Sequence, residues 1–272
     1  MSVCLDIRMS LCLQPIELPV FNPLALDLML VINSPRQNVD AIVATIHKDQ
    51  ALSARVLKMA NSPVYSGLKP SETIKESAVR LGMHQITNLV MAASQETLHT
   101  SNTPVINDIM KELWLHSHAC ALGCRTLAVA SGRAEIADQA YMAGLLHDIG
   151  KLYILKAMEN ISKEEDYTAI LERDTILNVF TGFHVEFGCR LMDHWNIPPI
   201  YRTITANHHL PPSGSSDDLQ IIVQAVNIFS RKAGRSLHES ATHDEERFRD
   251  FILPEGSALL RMVETAMCDA SL

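Results

Sequence analysis

Apolar residues recur three and four positions apart along most of this 272-residue chain. That spacing places them on one face of an α-helix, because an α-helix has 3.6 residues per turn. The alternation of apolar and polar residues that is typical of a half-buried strand is weak throughout the sequence. No repeat at a fixed period indicates a solenoid. The pattern therefore predicts an all-α fold.

Cap and turn residues divide this pattern into separate helices. In the first half, Thr73 and Glu76 form a capping box, which predicts a helix that begins at Ile74. Gly82 is expected to end that helix, since glycine adopts the left-handed conformation that often follows a helix. A further helix is predicted to run to about Leu98.

The second half begins with a long predicted helix over about residues 105–130, followed by one near 136–148. Gly150 is expected to supply the left-handed residue at the end of the latter helix. Thr181 is expected to cap another helix, over 182–195.

A polar segment, "HTSNTP" at 99–104, is the best candidate for a domain boundary. We predict an N-terminal helical bundle at 15–103, packed on a second helical domain at 104–232. Residues 233–272 are predicted to form a polar linker and a C-terminal helix.

Composition and charge narrow the classes of function. Hydrophobic residues make up 47% of the chain and charged residues 20%, which are values of an ordinary globular protein. The longest apolar runs fall short of the roughly 18 residues that a membrane helix needs. Asp6 and Arg8 interrupt the short apolar stretch at the N-terminus, which argues against a signal peptide. We therefore expect a cytoplasmic protein that does not insert into membranes.

Cysteine usage and the distribution of basic residues are also informative. The six cysteines form no C-x-x-C pair, and we interpret Cys120 and Cys124 as small buried residues. The net charge is −8, and no cluster of Lys or Arg with interleaved aromatic residues is present. Residues 84–100 follow a turn as in a helix-turn-helix motif, but they contain no Lys or Arg that could neutralise phosphates. We interpret that helix as core packing and expect no nucleic-acid partner.

Histidine is the unusual residue, with twelve in the chain. Several lie at predicted helix ends or on inner faces, beside one carboxylate: His116 or His118, His147 with Asp148, His184, and His208 with His209. Imidazole and carboxylate groups together are the ligands of Fe, Mn, Ni or Zn. Taken singly, each has an ordinary alternative, a helix cap, a polar helix end or a surface histidine.

The order of these motifs resembles a known superfamily. The segments "LWLHSHACA", "GLLHDIGK", "FHVEFGCRLM" and "ITANHH" resemble the HD superfamily of metal-dependent phosphohydrolases, closest to the HD-GYP layout but without its GYP loop. In the first half, "IHKDQALSARVLKMANSPVY" and "AVRLGMHQITNLV" resemble the HDOD family, the HD-related output domain of bacterial signalling proteins. The resemblance covers about residues 15–230.

The resemblance implies a set of metal ligands. Asp148 would bridge two half-sites, with His184, His208 and His209 completing one of them. The other half-site would use His116, His147, Asp148 and residue 227. Position 227 holds Asn227 where an active enzyme would carry Asp, so this half-site has one negative charge fewer. One or two divalent transition-metal ions, Fe, Mn, Ni or Zn, are implied.

The resemblance also implies the function. Asp148 and Lys151 are the candidate catalytic residues, since HD-GYP enzymes place a lysine toward phosphate at the latter position. We expect a bacterial signalling protein with an HD-type metal site whose catalysis is weak or lost. The alternative is an active metal-dependent phosphodiesterase or phosphohydrolase. A separate signalling protein or a phosphorylated small ligand is expected as the partner.

Overall fold

The structure is a computed structural model that describes residues 8, 10–13, 21–32, 38–65, 69–164, 171–210, 217–234, 237 and 258–268. Within those residues every regular element is helical, which confirms the all-α prediction. The helices of eight or more residues are α1 Pro23–Ile32, α2 Val39–Ile46, α3 Gln50–Ala60, α4 Ile74–Leu81, α5 Met83–Leu98, α6 Pro104–Ala130, α7 Ala137–Leu146, α8 Ile149–Glu164, α9 Arg173–His194, α10 Pro199–Asn207, α11 Asp218–Lys232 and α12 Ala258–Cys268. None of the described helices is both long and apolar enough to cross a membrane.

The chain forms two compact units, and one of them is built from Phe21–Leu98. Its central helix is α5, which contacts each of the helices α1 to α4. The α5 side chains from Gln85 to Gln95 are all buried. A helix that is buried on all sides is a core element. This burial confirms the interpretation of residues 84–100 as core packing.

The helix caps predicted in this unit are present. The Thr73 hydroxyl accepts a hydrogen bond from the Glu76 backbone N–H at 3.0 Å, and the Glu76 carboxylate accepts one from the Glu72 N–H at 2.8 Å. Gly82 ends α4 with a positive φ of 88°, a conformation that glycine adopts without steric cost. Local sequence therefore fixes the turn between α4 and α5.

The other unit comprises the described residues from His99 to Cys268 together with Arg8 and residues 10–13. Its longest helix is α6, with 27 residues, and α7, α8, α11 and α12 pack against it. α9 contacts both α8 and α10. The predicted polar linker after residue 232 lies mostly outside the described residues, whereas the C-terminal helix is present as α12. All candidate metal ligands belong to this unit.

Two local predictions were wrong. Gly150 does not end a helix with a left-handed residue, because α7 ends at Leu146 and Gly150 is the second residue of α8. Thr181 is not an N-cap, since α9 already begins at Arg173 and the Thr181 hydroxyl donates back to the Leu177 carbonyl at 3.1 Å. Hydroxyl bonds of this kind are common within helices.

Candidate metal centre

The second unit brings five imidazoles and one carboxylate to a common point. They come from four places: the middle of α6, the junction of α7 and α8, the middle of α9 and the end of α10. Five of the six residues are at most 4% exposed, and the sixth, His209, is partly exposed. The residues are His116, His147, Asp148, His184, His208 and His209. The structure therefore assembles the predicted histidine motifs.

Glycines allow the helices that carry these residues to approach closely. A Cβ added to Gly144 of α7 would lie 2.7 Å from the Cys120 carbonyl oxygen of α6. A Cβ added to Gly150 of α8 would overlap the His184 carbonyl oxygen of α9. Such contacts exclude any side chain at these two positions. This close approach is the physical reason for the glycine two residues after Asp148.

Hydrogen bonds orient the rings. Three of the histidines place Nδ1 on a backbone carbonyl one turn earlier, and a fourth places it on a hydroxyl. The bonds are His147 to Gly144 (2.8 Å), His184 to Phe180 (2.5 Å), His208 to Thr205 (2.8 Å) and His116 to Ser230 Oγ (3.0 Å). A carbonyl accepts only, so the three carbonyl-bound Nδ1 atoms carry the proton and Nε2 keeps a lone pair. Metal-binding histidines are typically held by such an outer bond.

Asp148 lies between two groups of Nε2 atoms. Its Oδ1 atom is 3.6 Å from His184 Nε2 and 3.5 Å from His208 Nε2. Its Oδ2 atom is 3.3 Å from the Nε2 atoms of both His116 and His147. The carboxylate therefore has one oxygen on each side, as the predicted bridging role requires.

Burial and charge set the protonation states. Burial lowers the pKa of His184 to about 3 and also lowers the pKa values of His116, His208 and His209. These imidazoles are neutral at pH 7, the form that binds metal. Burial alone would raise the pKa of Asp148, but the Lys151 ammonium holds it well below its usual range. Asp148 is therefore an ionised carboxylate.

The side that faces Oδ1 fits a metal ion. Asp148, His184, His208 and His209 offer ligand atoms that all lie within 4.8 Å of one another. The Nε2 atoms of His184 and His208 are 3.4 Å apart, and those of His184 and His209 are 2.9 Å apart. The Nε2 lone pairs of His184 and His208 face each other at 3.4 Å and repel unless a cation lies between them. Ligands about 2.0–2.1 Å from a tetrahedral zinc ion are roughly 3.3 Å apart.

Asp148 itself provides a second indication of a cation. Its Oδ1 atom is buried and has no hydrogen-bond partner among the described residues. A buried, ionised oxygen without a partner is costly, and a bound cation would remove that cost. The four residues on this side therefore fit a divalent transition metal.

The side that faces Oδ2 differs from the predicted set. His116 and His147 have Nε2 atoms 3.4 Å apart, and the third candidate ligand grouped with them is Cys120. Burial raises the pKa of Cys120 to about 12, so this residue is a thiol at pH 7. Asn227 is buried on α11, three residues before Ser230, whose hydroxyl contacts His116.

Two contacts were not anticipated from the sequence. Cys120 lies four residues after His116, so the i,i+4 spacing on one helix face could have indicated its proximity. Lys151 forms an ion pair with Asp148, with 2.6 Å between Nζ and Oδ2, and is 2% exposed.

His118, the alternative to His116, stacks on Trp114 with 4.9 Å between ring centroids. The structure thus places His116 beside Asp148.

Comparisons with known proteins identify the family of the chain. The HDOD domain family matches residues 18–211. An uncharacterized protein of Treponema pallidum (strain Nichols) is 29% identical over 204 residues, which cover 72% of this chain. The match spans only 38% of the length of that relative.

Solved structures show the same fold. A crystal structure of a candidate metal-dependent phosphohydrolase from Shewanella amazonensis SB2B has a TM-score of 0.78 at 21% identity and covers 99% of this chain and 98% of its own. An HDOD domain protein of unknown function from Geobacter sulfurreducens has a TM-score of 0.72 at 19% identity, with 99% and 96% covered. Since the family match extends over most of the sequence, the chain belongs to the HDOD family.

Proposed function

We propose that this chain is a regulatory protein of bacterial signalling whose HD-type centre binds a divalent transition metal, Fe, Mn, Ni or Zn, with weak or lost phosphohydrolase activity. One observation carries the proposal, the asymmetry of the groups around Asp148. The Oδ1 side has three imidazoles and a carboxylate oxygen that accepts no hydrogen bond from the described residues. The Oδ2 side carries the Lys151 ammonium, and the aspartate expected at position 227 is Asn227.

The residues of the Oδ1 side would hold the metal. His184, His208, His209 and Asp148 provide three neutral nitrogens and one negative oxygen, a ligand set that suits these metals. A metal bound there would act as a Lewis acid toward a phosphate oxygen or a water molecule. The chain contributes orientation, because the Nδ1 bonds of His184 and His208 fix the rings before any ion binds.

The loss of a carboxylate at position 227 supports weak or lost catalysis. In two-ion hydrolysis one ion stabilises the attacking oxygen and the other the leaving oxygen. The neutral amide of Asn227 would hold a second ion less tightly than a carboxylate. A centre with one ion therefore lacks half of that stabilisation.

An active phosphohydrolase is the second candidate, and the intact ligand set on the Oδ1 side favours it. Under this alternative Lys151 would bind the substrate phosphate, since an ammonium is a suitable point charge for phosphate. Lys151 would then have to exchange its contact with Asp148 Oδ2 for one with the substrate. The two candidates therefore differ in measurable hydrolysis by the wild-type protein.

Metal analysis combined with a hydrolysis assay tests the proposal. Purified wild-type protein is analysed for transition metals by mass spectrometry and assayed with bis(p-nitrophenyl) phosphate, in parallel with Asn227→Asp. We expect bound metal in the wild type and hydrolysis near background. Absence of transition metal from reconstituted wild type would contradict the metal proposal, and rapid metal-dependent hydrolysis by the wild type would establish the alternative.

A partner search tests the regulatory part. We propose that the chain acts in the cytoplasm on a separate signalling protein or responds to a phosphorylated small ligand. Metal-loaded protein is used in a pull-down from a bacterial lysate and in a thermal-shift screen of phosphorylated metabolites. A partner that binds the wild type and not Asp148→Asn supports the proposal, whereas a partner that binds both proteins equally argues against it.

A further inference from the structure

Gln224 connects α11 to the end of α10, where His208 and His209 lie. It is in the middle of α11 and is 1% exposed. Its Nε2 atom donates one hydrogen bond to the Asn207 carbonyl at 2.9 Å and another to the Leu210 carbonyl at 2.7 Å. These carbonyls belong to the residues directly before and directly after the histidine pair. One amide group therefore holds both ends of the turn that carries two candidate ligands.

The position of this turn explains why it needs a donor from another helix. The last carbonyls of a helix have no partner within the helix, and a buried carbonyl without a partner is unfavourable. Within the turn, the Leu210 N–H donates to the Asn207 carbonyl at 2.9 Å. Gln224 adds a bond to the carbonyl at each end of the same turn. The backbone at residues 207–210 is therefore fixed from inside the turn and from α11.

His209 depends on this turn more than the other candidate ligands do. Each of the other four imidazoles has an Nδ1 bond to a carbonyl or a hydroxyl. Among the described residues, His209 has no such bond, and its ring contacts His184 and His208 instead, with 2.9 Å to His184 Nε2 and 4.0 Å to the His208 ring centroid. The backbone of the turn therefore determines where the His209 ring lies.

The oxygen of the same amide shows that the donor bonds are the reason for glutamine at this position. Gln224 Oε1 is buried and accepts no hydrogen bond from the described residues. A buried amide oxygen without a partner is unfavourable, and an apolar side chain of similar size would avoid it. Packing alone therefore does not explain Gln224, whereas its two bonds to the turn do.

We propose that Gln224 is a positioning residue of the metal centre, which fixes His209 as a ligand by holding the turn at residues 207–210. The inference rests on the proposed function, since it assumes that Asp148, His184, His208 and His209 bind an ion. Gln224 acts through the backbone of the turn and is not itself a ligand. Hydrogen-bond partners that orient metal ligands in this way typically contribute to metal affinity.

Cobalt binding by variants tests this inference. The full chain is stripped with a chelator and titrated with Co²⁺, whose visible absorption spectrum reports the number and geometry of its ligands. Gln224→Leu cannot donate a hydrogen bond, so it should weaken Co²⁺ binding by about 10- to 100-fold and shift the spectrum toward that of His209→Ala. Gln220→Leu, one turn earlier on α11 and partly exposed, is the matched control and should keep the affinity and the spectrum of the wild type.

A double-mutant cycle distinguishes positioning of His209 from a general loss of stability. If Gln224 acts through His209, adding Gln224→Leu to His209→Ala should weaken binding further by less than about threefold, because the ligand that it positions is already absent. Urea denaturation of the metal-free variants measures stability separately. Wild-type affinity and spectrum in Gln224→Leu, or an equal loss of affinity with and without His209, would overturn the inference alone.

The same titrations separate the inference from the proposed function. If the wild type bound no Co²⁺, the proposed function and the inference with it would be overturned. If Gln224→Leu does not fold, Gln224→Asn is measured in its place, since its amide is one methylene shorter and cannot contact both carbonyls. A spectrum shifted toward that of His209→Ala would then support the inference, and the affinity and spectrum of the wild type would overturn it.

Discussion

Asp148 is the residue on which the centre depends, because it contributes the one negative charge among the described ligands. Its two oxygens contact different partners, His184 and His208 through Oδ1 and His116, His147 and Lys151 through Oδ2. Removing its charge should therefore affect both metal binding and the burial of Lys151.

Asp148→Asn should abolish tight metal binding and destabilise the metal-free protein. The variant leaves the Lys151 ammonium buried without its counter-charge, a change that costs about 3–5 kcal/mol in comparable buried pairs. Urea denaturation of chelator-treated protein measures this difference. Asp193→Asn is the control, since its pair with Arg202 is half exposed and such pairs contribute about 1 kcal/mol or less. Equal stability losses in the two variants would contradict this account.

At the scale of the helices, the crossing of α8 and α9 positions the ligands. Gly150 lies against the His184 backbone, and Tyr153 of α8 stacks on Phe187 of α9 with 5.1 Å between ring centroids. The sequence predicted a glycine cap at position 150 because a glycine near a helix end usually has that role. The approach of a second helix depends on tertiary packing, which local sequence does not report.

Gly150→Ala should force α8 away from α9, lower the melting temperature and weaken metal binding. The added methyl would overlap the His184 carbonyl, which is backbone and cannot move aside without shifting α9. Gly182→Ala on α9 is the matched control, since nothing lies within 4 Å of its added Cβ. Replacing an exposed helical glycine by alanine should stabilise the protein by about 0.5–1 kcal/mol. If Gly150→Ala kept the melting temperature and the metal affinity of the wild type, the crossing of the two helices would not require glycine.

Hydrogen bonds also connect α8 to the segment before α6. The Glu159 carboxylate accepts hydrogen bonds from Ser101 Oγ at 2.8 Å, Thr103 Oγ1 at 3.3 Å and Lys163 Nζ at 3.2 Å. Burial would raise the pKa of Glu159, but the bonds from Ser101 and Lys163 lower it below its usual value of 4.5. The folded state therefore holds the ionised form more strongly than the unfolded state does.

The stabilisation by Glu159 should be present above pH 4.5 and should be lost as the pH falls through the lowered pKa of the folded state, because the unfolded chain takes up the proton first. Glu159→Gln should be less stable by about 1 kcal/mol at pH 7 and should approach the wild type toward pH 3. Denaturation at a series of pH values measures the difference. Glu112→Gln, in an exposed pair with Arg173, serves as the control. A difference that is constant with pH would contradict the assigned charge effect.

At the scale of the whole molecule, periodicity was sufficient to predict the all-α fold, whereas the grouping of the histidine motifs was predicted from the family resemblance. Lys151 follows Asp148 by only three residues, so their proximity could have been read from the sequence. The contact between Ser230 and His116 could not, because it joins residues 114 positions apart on different helices. Local patterns report which residues share a helix face, and only the packed structure reports which faces meet.

Anomalous diffraction from crystals of the metal-loaded protein tests the central claim most directly, since it locates the ion as well as detecting it. The account predicts one anomalous peak per chain, about 2.0–2.2 Å from Asp148 Oδ1 and from Nε2 atoms of His184, His208 and His209. It also predicts that Lys151 stays paired with Oδ2. No peak beside Asp148 after reconstitution, or a single peak between His116 and His147, would contradict it.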